Sequence, residues 1–211
     1  MLLGAAQYLA ETRNFDGTAV MIFQPAEEGG GGGREMCEDG MMERWGIQEV
    51  YGMHNWPGLP MGSFAIRSGP FFAATDLLSI EIEGLGGHAA KPHETIDTMV
   101  VTAQIITALQ TIVSRNADPT GNIVVSITSV ESSSKAFNVI PQRVNLMGTV
   151  RTLSNELRDL AEKRVTEICE GIAASFGAVA RVNYKRNYPV MVNHEAQTAF
   201  AADVALSLIH I

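Results

Sequence analysis

Asp76-Leu77-Leu78-Ser79-Ile80-Glu81-Ile82-Glu83 is the stretch from which the architecture can be read. Leu78, Ile80 and Ile82 alternate with Ser79, Glu81 and Glu83, the period-two pattern of a strand with one buried face. Forward of it, Ile96, Met99, Val100, Ala103, Ile106, Leu109 and Val113 recur at helical spacing. Ile123, Val125 and Ile127 alternate again, as do Val144, Leu146 and Val150. Leu157, Leu160, Ala161, Val165, Ile168, Cys169 and Ile172 mark a second amphipathic helix, stopped at Gly177. Residues 179–184 read as a last strand and Asn187-Tyr188-Pro189 as an exit linker.

The order β-α-β-β-α-β is that of a ferredoxin-like split βαβ unit. Behind it, residues 18–23 form a continuous apolar run that fits a buried parallel strand. Gln24-Pro25, Glu27-Glu28 and the five glycines 29–33 follow as a loop, then a helix over about 34–44 and short strands near 49–53 and 63–67. Apolar Leu2, Leu3, Ala6 and Leu9 suit an opening helix without a cap. This is an α/β pattern, whose strand-end loops are where chemistry gathers.

The chain has 211 residues, 46% hydrophobic and 18% charged, and a net charge of −8. An acidic chain with no Lys/Arg cluster argues against nucleic acid or an anionic membrane surface as partner, and no apolar stretch is long enough to span a bilayer. Cys37 and Cys169 lie far apart and outside any CxxC, which suits a reducing, cytoplasmic setting. No basic leader precedes the first apolar residues, so no signal peptide is expected.

Glu27 and Glu28 are adjacent carboxylates after an apolar run and a proline; in extended backbone they point to opposite sides, so one can hold a metal while the other takes a proton. The glycines lack the Lys-Ser/Thr of a P-loop, since Arg34-Glu35 follows. His54, in Gly52-Met53-His54-Asn55, is a neutral imidazole of the kind that binds zinc, or an ordinary structural histidine. His88, in Gly86-Gly87-His88-Ala89-Ala90-Lys91-Pro92-His93, is flanked by small residues that let a substrate or another chain approach, or is a turn histidine. His93 reads as structural, at a helix start, and His194 has no motif around it. Asn138, in Asn138-Val139-Ile140-Pro141, is a polar group among apolar neighbours or a turn former. Arg151, in Gly148-Thr149-Val150-Arg151-Thr152, is a carboxylate clamp or a strand-end charge.

Together with Gln24-Pro25-Ala26-Glu27-Glu28-Gly29-Gly30, these five stretches, in this order, resemble the M20 metallopeptidase family. The branch is the aminoacylase-like one of hippurate hydrolases, N-acyl-amino-acid amidohydrolases and auxin-conjugate hydrolases. The resemblance implies a zinc-peptidase-like catalytic domain, truncated here, with an inserted ferredoxin-like lid that also carries a homodimer interface. The boundaries implied are 1–74 for the catalytic part, 75–187 for the lid and 188–205 for a return to the catalytic part. It implies Glu27 as general base, Glu28 and His54 as metal ligands, His88 as an oxyanion donor reaching the partner subunit's active site, and Asn138 and, more weakly, Arg151 as substrate-binding groups. It implies two divalent ions per site (zinc, manganese, cobalt or nickel) and hydrolysis of the amide bond of N-acyl amino acids by a metal-activated water. Alternatives are a di- or tripeptidase of the same family, or a non-catalytic dimerising module.

The family's Cys-Gly-His motif is expected upstream of Met1 and a further ligand histidine downstream. The expectation is therefore an internal piece that is inactive alone. Residues 206–211, Leu-Ser-Leu-Ile-His-Ile, resemble the translation of a transposon-end sequencing adapter, so His210 is given no function.

Overall fold

A computed structural model describes residues 1–208. Residues 209–211, and with them His210, lie outside the described residues. The fold is mixed α/β, and the chain divides into two compact units, Met1–Leu59 and a second from Pro60 onward. Among the described residues no helix is long and apolar enough to cross a membrane.

In the first unit, helix α1 (Leu2–Thr12) has no side-chain cap and ends at Arg13 in the left-handed region. Helices α2 (Gly32–Glu38) and α3 (Met41–Trp45) replace the single helix expected over 34–44. The break is Gly40, whose φ of +76° only glycine adopts without strain. The glycine run is not an open loop. Gly31 and Gly32 are buried, Gly32 begins α2, and a Cβ there would lie 1.9 Å from the Pro25 carbonyl oxygen.

Residues 18–23, 49–53 and 63–67 form no strand among the described residues. Apolar, β-prone sequence makes a strand only when another backbone pairs with it, and none is paired with these segments. Phe23 is 56% exposed, so the run is not buried either.

The second unit contains strands β1 (Gly69–Phe72), β2 (Ala74–Glu83) and β3 (Gly87–His88), a short 3-10 turn at Pro92–Glu94, and helix α4 (Thr98–Thr111). Strands β4 (Ile123–Ser132), β5 (Val139–Ile140) and β6 (Arg143–Thr152), helix α5 (Asn155–Ser175), strands β7 (Val179–Arg186) and β8 (Met191–Asn193), and helix α6 (Glu195–Leu208) complete it. The β-α-β-β-α-β order read from the sequence runs from β2 to β7. Strands β4, β6, β2 and β7 pair in that spatial order, all antiparallel.

The alternating residues read from the sequence do face the core. Leu78, Ile80, Ile82, Val144, Leu146 and Val150 are buried and pack with the inner residues of α4 and α5. Ile127 is only partly buried because the register slips between Ile127 and Ser129. Helix α5 buries Ala161, Val165, Cys169 and Ala173 as its pattern requires. Burial pushes the Cys169 thiol up to about 12, so it stays protonated.

Of the residues read at helical spacing around α4, Leu109 is buried and Ile96 and Ile106 pack against the core, but the rest of the inward face differs from the one expected. Val101, Ile105 and Leu109 are buried with Thr98 and Thr102, while Met99, Val100 and Val113 are exposed. The segment is apolar nearly all round, so periodicity alone does not select a face. The Asp97 cap, which accepts from the Met99 and Val100 amides, sets the rotation.

One buried ion pair joins the sheet to α5. Asp76, 1% exposed, accepts from Arg158 Nε at 3.0 and 3.1 Å and from Arg158 Nη2 at 2.5 Å. The Tyr184 hydroxyl donates to Asp76 at 2.7 Å and the Asn187 amide at 3.3 Å. Burial alone would raise this carboxyl's pKa; the hydrogen bonds and charge of Arg158, with Tyr184 and Asn187, hold it below the ordinary value. Beside it, Thr75 and Tyr188 exchange hydrogen bonds, and β1 pairs with β8. The stretch expected as an exit linker therefore runs back along the entering chain.

A carboxylate with a depressed folded pKa contributes stability that is fully present above its unfolded value, about 4, and is lost as pH falls through the folded one. Asp76→Asn leaves Arg158 buried and unpaired and is expected to cost about 3–5 kcal/mol at pH 7. Urea unfolding of both proteins checks this: the difference should narrow between pH 5 and pH 2.5, and a gap independent of pH would count against the ion pair as its source.

Candidate functional site

His88 and Asn138 are brought together by the shortest ladder in the chain. Strand β3 pairs with β5, setting His88 opposite Val139 and Gly87 opposite Ile140. The Ala89 amide then donates to the Asn138 carbonyl at 2.9 Å. The ladder is anchored from beneath, where the buried Thr98 hydroxyl on α4 donates to the Pro141 carbonyl at 2.7 Å. The glycines before His88 serve this close packing: a Cβ on Gly86 would lie 2.9 Å from both the Ile140 oxygen and the Gln142 nitrogen. The close approach that small residues allow here is made by the chain itself.

The imidazole of His88 is exposed and its Nδ1 accepts from the Ala90 amide at 3.1 Å. A backbone N–H can only donate, so Nδ1 carries the lone pair and the neutral ring carries its proton on Nε2. Nε2–H is thus a hydrogen-bond donor without ring protonation. Asn138 is also exposed, and its side chain makes no hydrogen bond among the described residues.

In the first unit, Glu27 and Glu28 occupy a turn rather than extended backbone. The Gly30 amide donates to the Ala26 carbonyl at 2.9 Å, and Ala26 is held at a φ of +52°. Positive φ at a residue with a Cβ is strained, and this strain sits immediately before the two carboxylates. Both are exposed. His54 donates from Nδ1 to the Asn55 carbonyl at 2.5 Å, which places the lone pair of the neutral ring on Nε2. Its ring meets Trp56 edge-on, with centroids 6.1 Å apart.

A carboxylate and an imidazole with its lone pair on Nε2 are suitable donors for zinc or manganese. Their number is short. Among the described residues no group of three or more His, Cys, Asp or Glu side chains is arranged to hold a metal ion. The donor types fit a catalytic metal centre, whereas the set present does not complete one. Clefts of about 320 and 410 Å³ lie elsewhere, the first against Arg67 and Ser154, the second against Leu9 and Phe15.

Arg151 is half-buried on β6 and folds back along its own strand. Its Nη1 donates to the Val150 carbonyl at 3.0 Å and to the Thr149 hydroxyl. His93 lies in the 3-10 turn, 3.8 Å from Glu94. The His194 carbonyl accepts from the amide and hydroxyl of Thr198 in the first turn of α6. The Ala90 amide that orients the His88 ring was invisible to sequence reasoning; its only signal was its place inside the motif that carries His88.

The chain is 41% identical to a hippurate hydrolase of Campylobacter jejuni over 207 residues, 98% of this chain and 54% of that protein. It is 40% identical to an N-acetyl-L-cysteine deacetylase of Bacillus subtilis over 97% of this chain and 49% of the relative. The chain thus spans about half the length of the curated relatives it matches. Among solved structures it superimposes on the Bacillus subtilis YXEP protein, described as a dinuclear metal binding peptidase from M20 family. The TM-score is 0.76 at 34% identity, over 98% of this chain and 52% of that one. The sequence pattern of Peptidase family M20/M25/M40 matches residues 1–210. The five motifs, their order and these likenesses agree: this chain belongs to Peptidase family M20/M25/M40.

Proposed function

We propose that the protein of which this chain forms a part hydrolyses the amide bond of N-acyl amino acids. The observation that carries this reading is the β3–β5 ladder, which holds His88, with its Nε2–H donor, and Asn138 on neighbouring backbone, both exposed. Relatives of about 40% identity named for removing acyl groups from amino acids support the substrate class. A thermostable carboxypeptidase of Saccharolobus solfataricus, 38% identical over 94% of this chain, favours peptide cleavage as the second reading.

In this reading the β2–β7 unit is the family's ferredoxin-like lid, covering about residues 75–187, and it carries a homodimer interface. Its element order and the strand order β4-β6-β2-β7 support the first point. The exposed Met99 and Val100 on α4 and Val113 just beyond it support the second, because exposed apolar groups favour a protein partner. The free thiols Cys37 and Cys169 suit a cytoplasmic enzyme.

Glu28 and His54 would hold part of a centre of divalent ions, whose chemistry is to make water acidic enough to give up a proton near neutral pH. Glu27 takes that proton as the water attacks the amide carbonyl, then returns it to the leaving amine, so the residue ends as it began. His88, from the partner subunit, donates Nε2–H to the carbonyl oxygen as negative charge develops there. Asn138 holds the substrate beside it, with Arg151 a secondary contact.

Glu27→Gln in the full-length enzyme is expected to lower kcat by roughly 10²–10⁴-fold while metal content and dimer mass stay unchanged; unchanged turnover refutes the base assignment. Nitrogen NMR of the histidine-labelled chain near pH 8 is expected to show His88 with a proton-bearing Nε2 and a bare Nδ1; the opposite tautomer removes the proposed donor. The 211-residue chain alone, holding only two of the ligands, is expected to bind divalent ions weakly and show no turnover; stoichiometric metal-dependent hydrolysis by it would overturn that expectation.

A further inference from the structure

Phe137 is fully exposed, at 100% of its accessible surface, although the loop that carries it is tightly braced. At the base of this loop, residues 133–138, the Ser133 amide donates to the Arg143 carbonyl at 2.9 Å and the Arg143 amide to the Ser133 hydroxyl at 3.2 Å. Within it the Ser132 hydroxyl donates to the Ser134 carbonyl at 2.5 Å and the Ala136 amide to the Ser134 hydroxyl at 3.2 Å. At its end the Val139 amide reaches the Ala136 carbonyl at 3.3 Å, and the Asn138 carbonyl is held by the Ala89 amide. Hydrogen bonds of this number fix the backbone on both sides of the ring, and the ring itself touches water on all sides. A large apolar group displayed on a stiff loop is the arrangement of a contact made with something that arrives.

What arrives is constrained by the neighbours. Asn138 is the next residue, and His88 is hydrogen-bonded one step away through the β3–β5 ladder. We infer that Phe137 is a specificity-determining residue, packing against the apolar acyl group of the substrate in the active site that receives His88 and Asn138. This rests on the amidohydrolase reading above and adds to it the part of the substrate that selects. Of the two sides of the scissile bond, the amino-acid side carries a charged carboxylate and the acyl side is the apolar one, so an exposed phenyl ring next to Asn138 suits the acyl side. A larger apolar acyl group covers more of the ring than a methyl group does, and discrimination between acyl groups follows the apolar area each removes from water.

The test compares wild type, Phe137→Ala and Phe137→Leu in the full-length enzyme on the N-benzoyl and N-acetyl derivatives of one amino acid. The ratio of kcat/KM for the benzoyl over the acetyl substrate is expected to fall about tenfold in Phe137→Ala, mainly through KM, and to recover in part in Phe137→Leu. A ratio that stays within about twofold of wild type, or equal losses on both substrates, overturns the assignment. So does dissociation of the Phe137→Ala dimer in light scattering, which would make the ring a subunit contact instead. Failure of the underlying reading looks different: wild type then turns over neither substrate, or Glu27→Gln is unimpaired, and the assignment falls with it.

Discussion

The buried pair of Asp76 and Arg158 is the constraint around which the second unit is organised. It joins the first strand of the four-stranded sheet to the helix that lies across it, and Tyr184 brings in the edge strand β7. The same guanidinium reaches the carbonyls of Asn187 and Tyr188 at 3.4 and 3.3 Å. One charge therefore ties together the places where the chain enters and leaves the sheet. Two ions taken out of water are stable together only when their remaining donors and acceptors are met, and here the hydroxyl of Tyr184 and the amide of Asn187 meet them. Apolar packing of Leu78, Ile80, Leu146 and Val165 supplies the bulk of the stabilisation, but it is non-directional. The ion pair fixes which rotation of α5 and which register of β7 the core adopts.

That rigidity carries outward to the residues proposed to act. The β3–β5 ladder has only two residue pairs, too few to persist alone. It survives because it is an extension of ordered parts. Gly84 continues from β2 and bonds to the Gln142 carbonyl, Leu85 and Ile96 exchange hydrogen bonds, and Thr98 holds Pro141. His88 and Asn138 thus stand on backbone determined from three sides. The histidine tautomer follows from the same geometry, because the turn that brings the Ala90 amide to Nδ1 leaves the proton only one other nitrogen.

The sequence was most informative where burial is one-sided. Alternation in β2, β4 and β6 named the core residues correctly, and the amphipathic spacing of α5 named its inner face. It failed where burial is two-sided or absent. Helix α4 is apolar on nearly every face, so spacing picked the buried Leu109 together with Met99, Val100 and Val113, which are exposed. Arg158 interrupts an otherwise apolar inner face and was unreadable, since a buried charge is recognised only by a partner 82 residues away in the chain. Motif order singled out His88 and Asn138 as candidates but gave no sign that one ladder joins the segments that carry them. The extended geometry expected for the Glu27-Glu28 pair is corrected to a turn, because the glycines after it build a turn and a helix start rather than an extended loop.

The first unit shows what local sequence cannot supply by itself. Residues 18–23 have the composition of a central strand, and a central strand needs two neighbours to satisfy its amides and carbonyls. Without a ladder, the apolar side chains of that segment have no sheet to pack across, and Phe23 stands open. The proposed metal donors obey the same logic. Glu28 and His54 each offer a lone pair, yet a catalytic ion held by protein takes about three such ligands and an open position. Ala26, just before the two carboxylates, is held at a positive φ. A residue held outside its comfortable region is retained when surrounding contacts over-determine it, and here those contacts are the Gly30 amide on one side and the packing of Gly32 against Pro25 on the other. The turn that carries the two carboxylates is thus set by the glycines, which makes the glycine run part of that turn's construction rather than a spacer beside it.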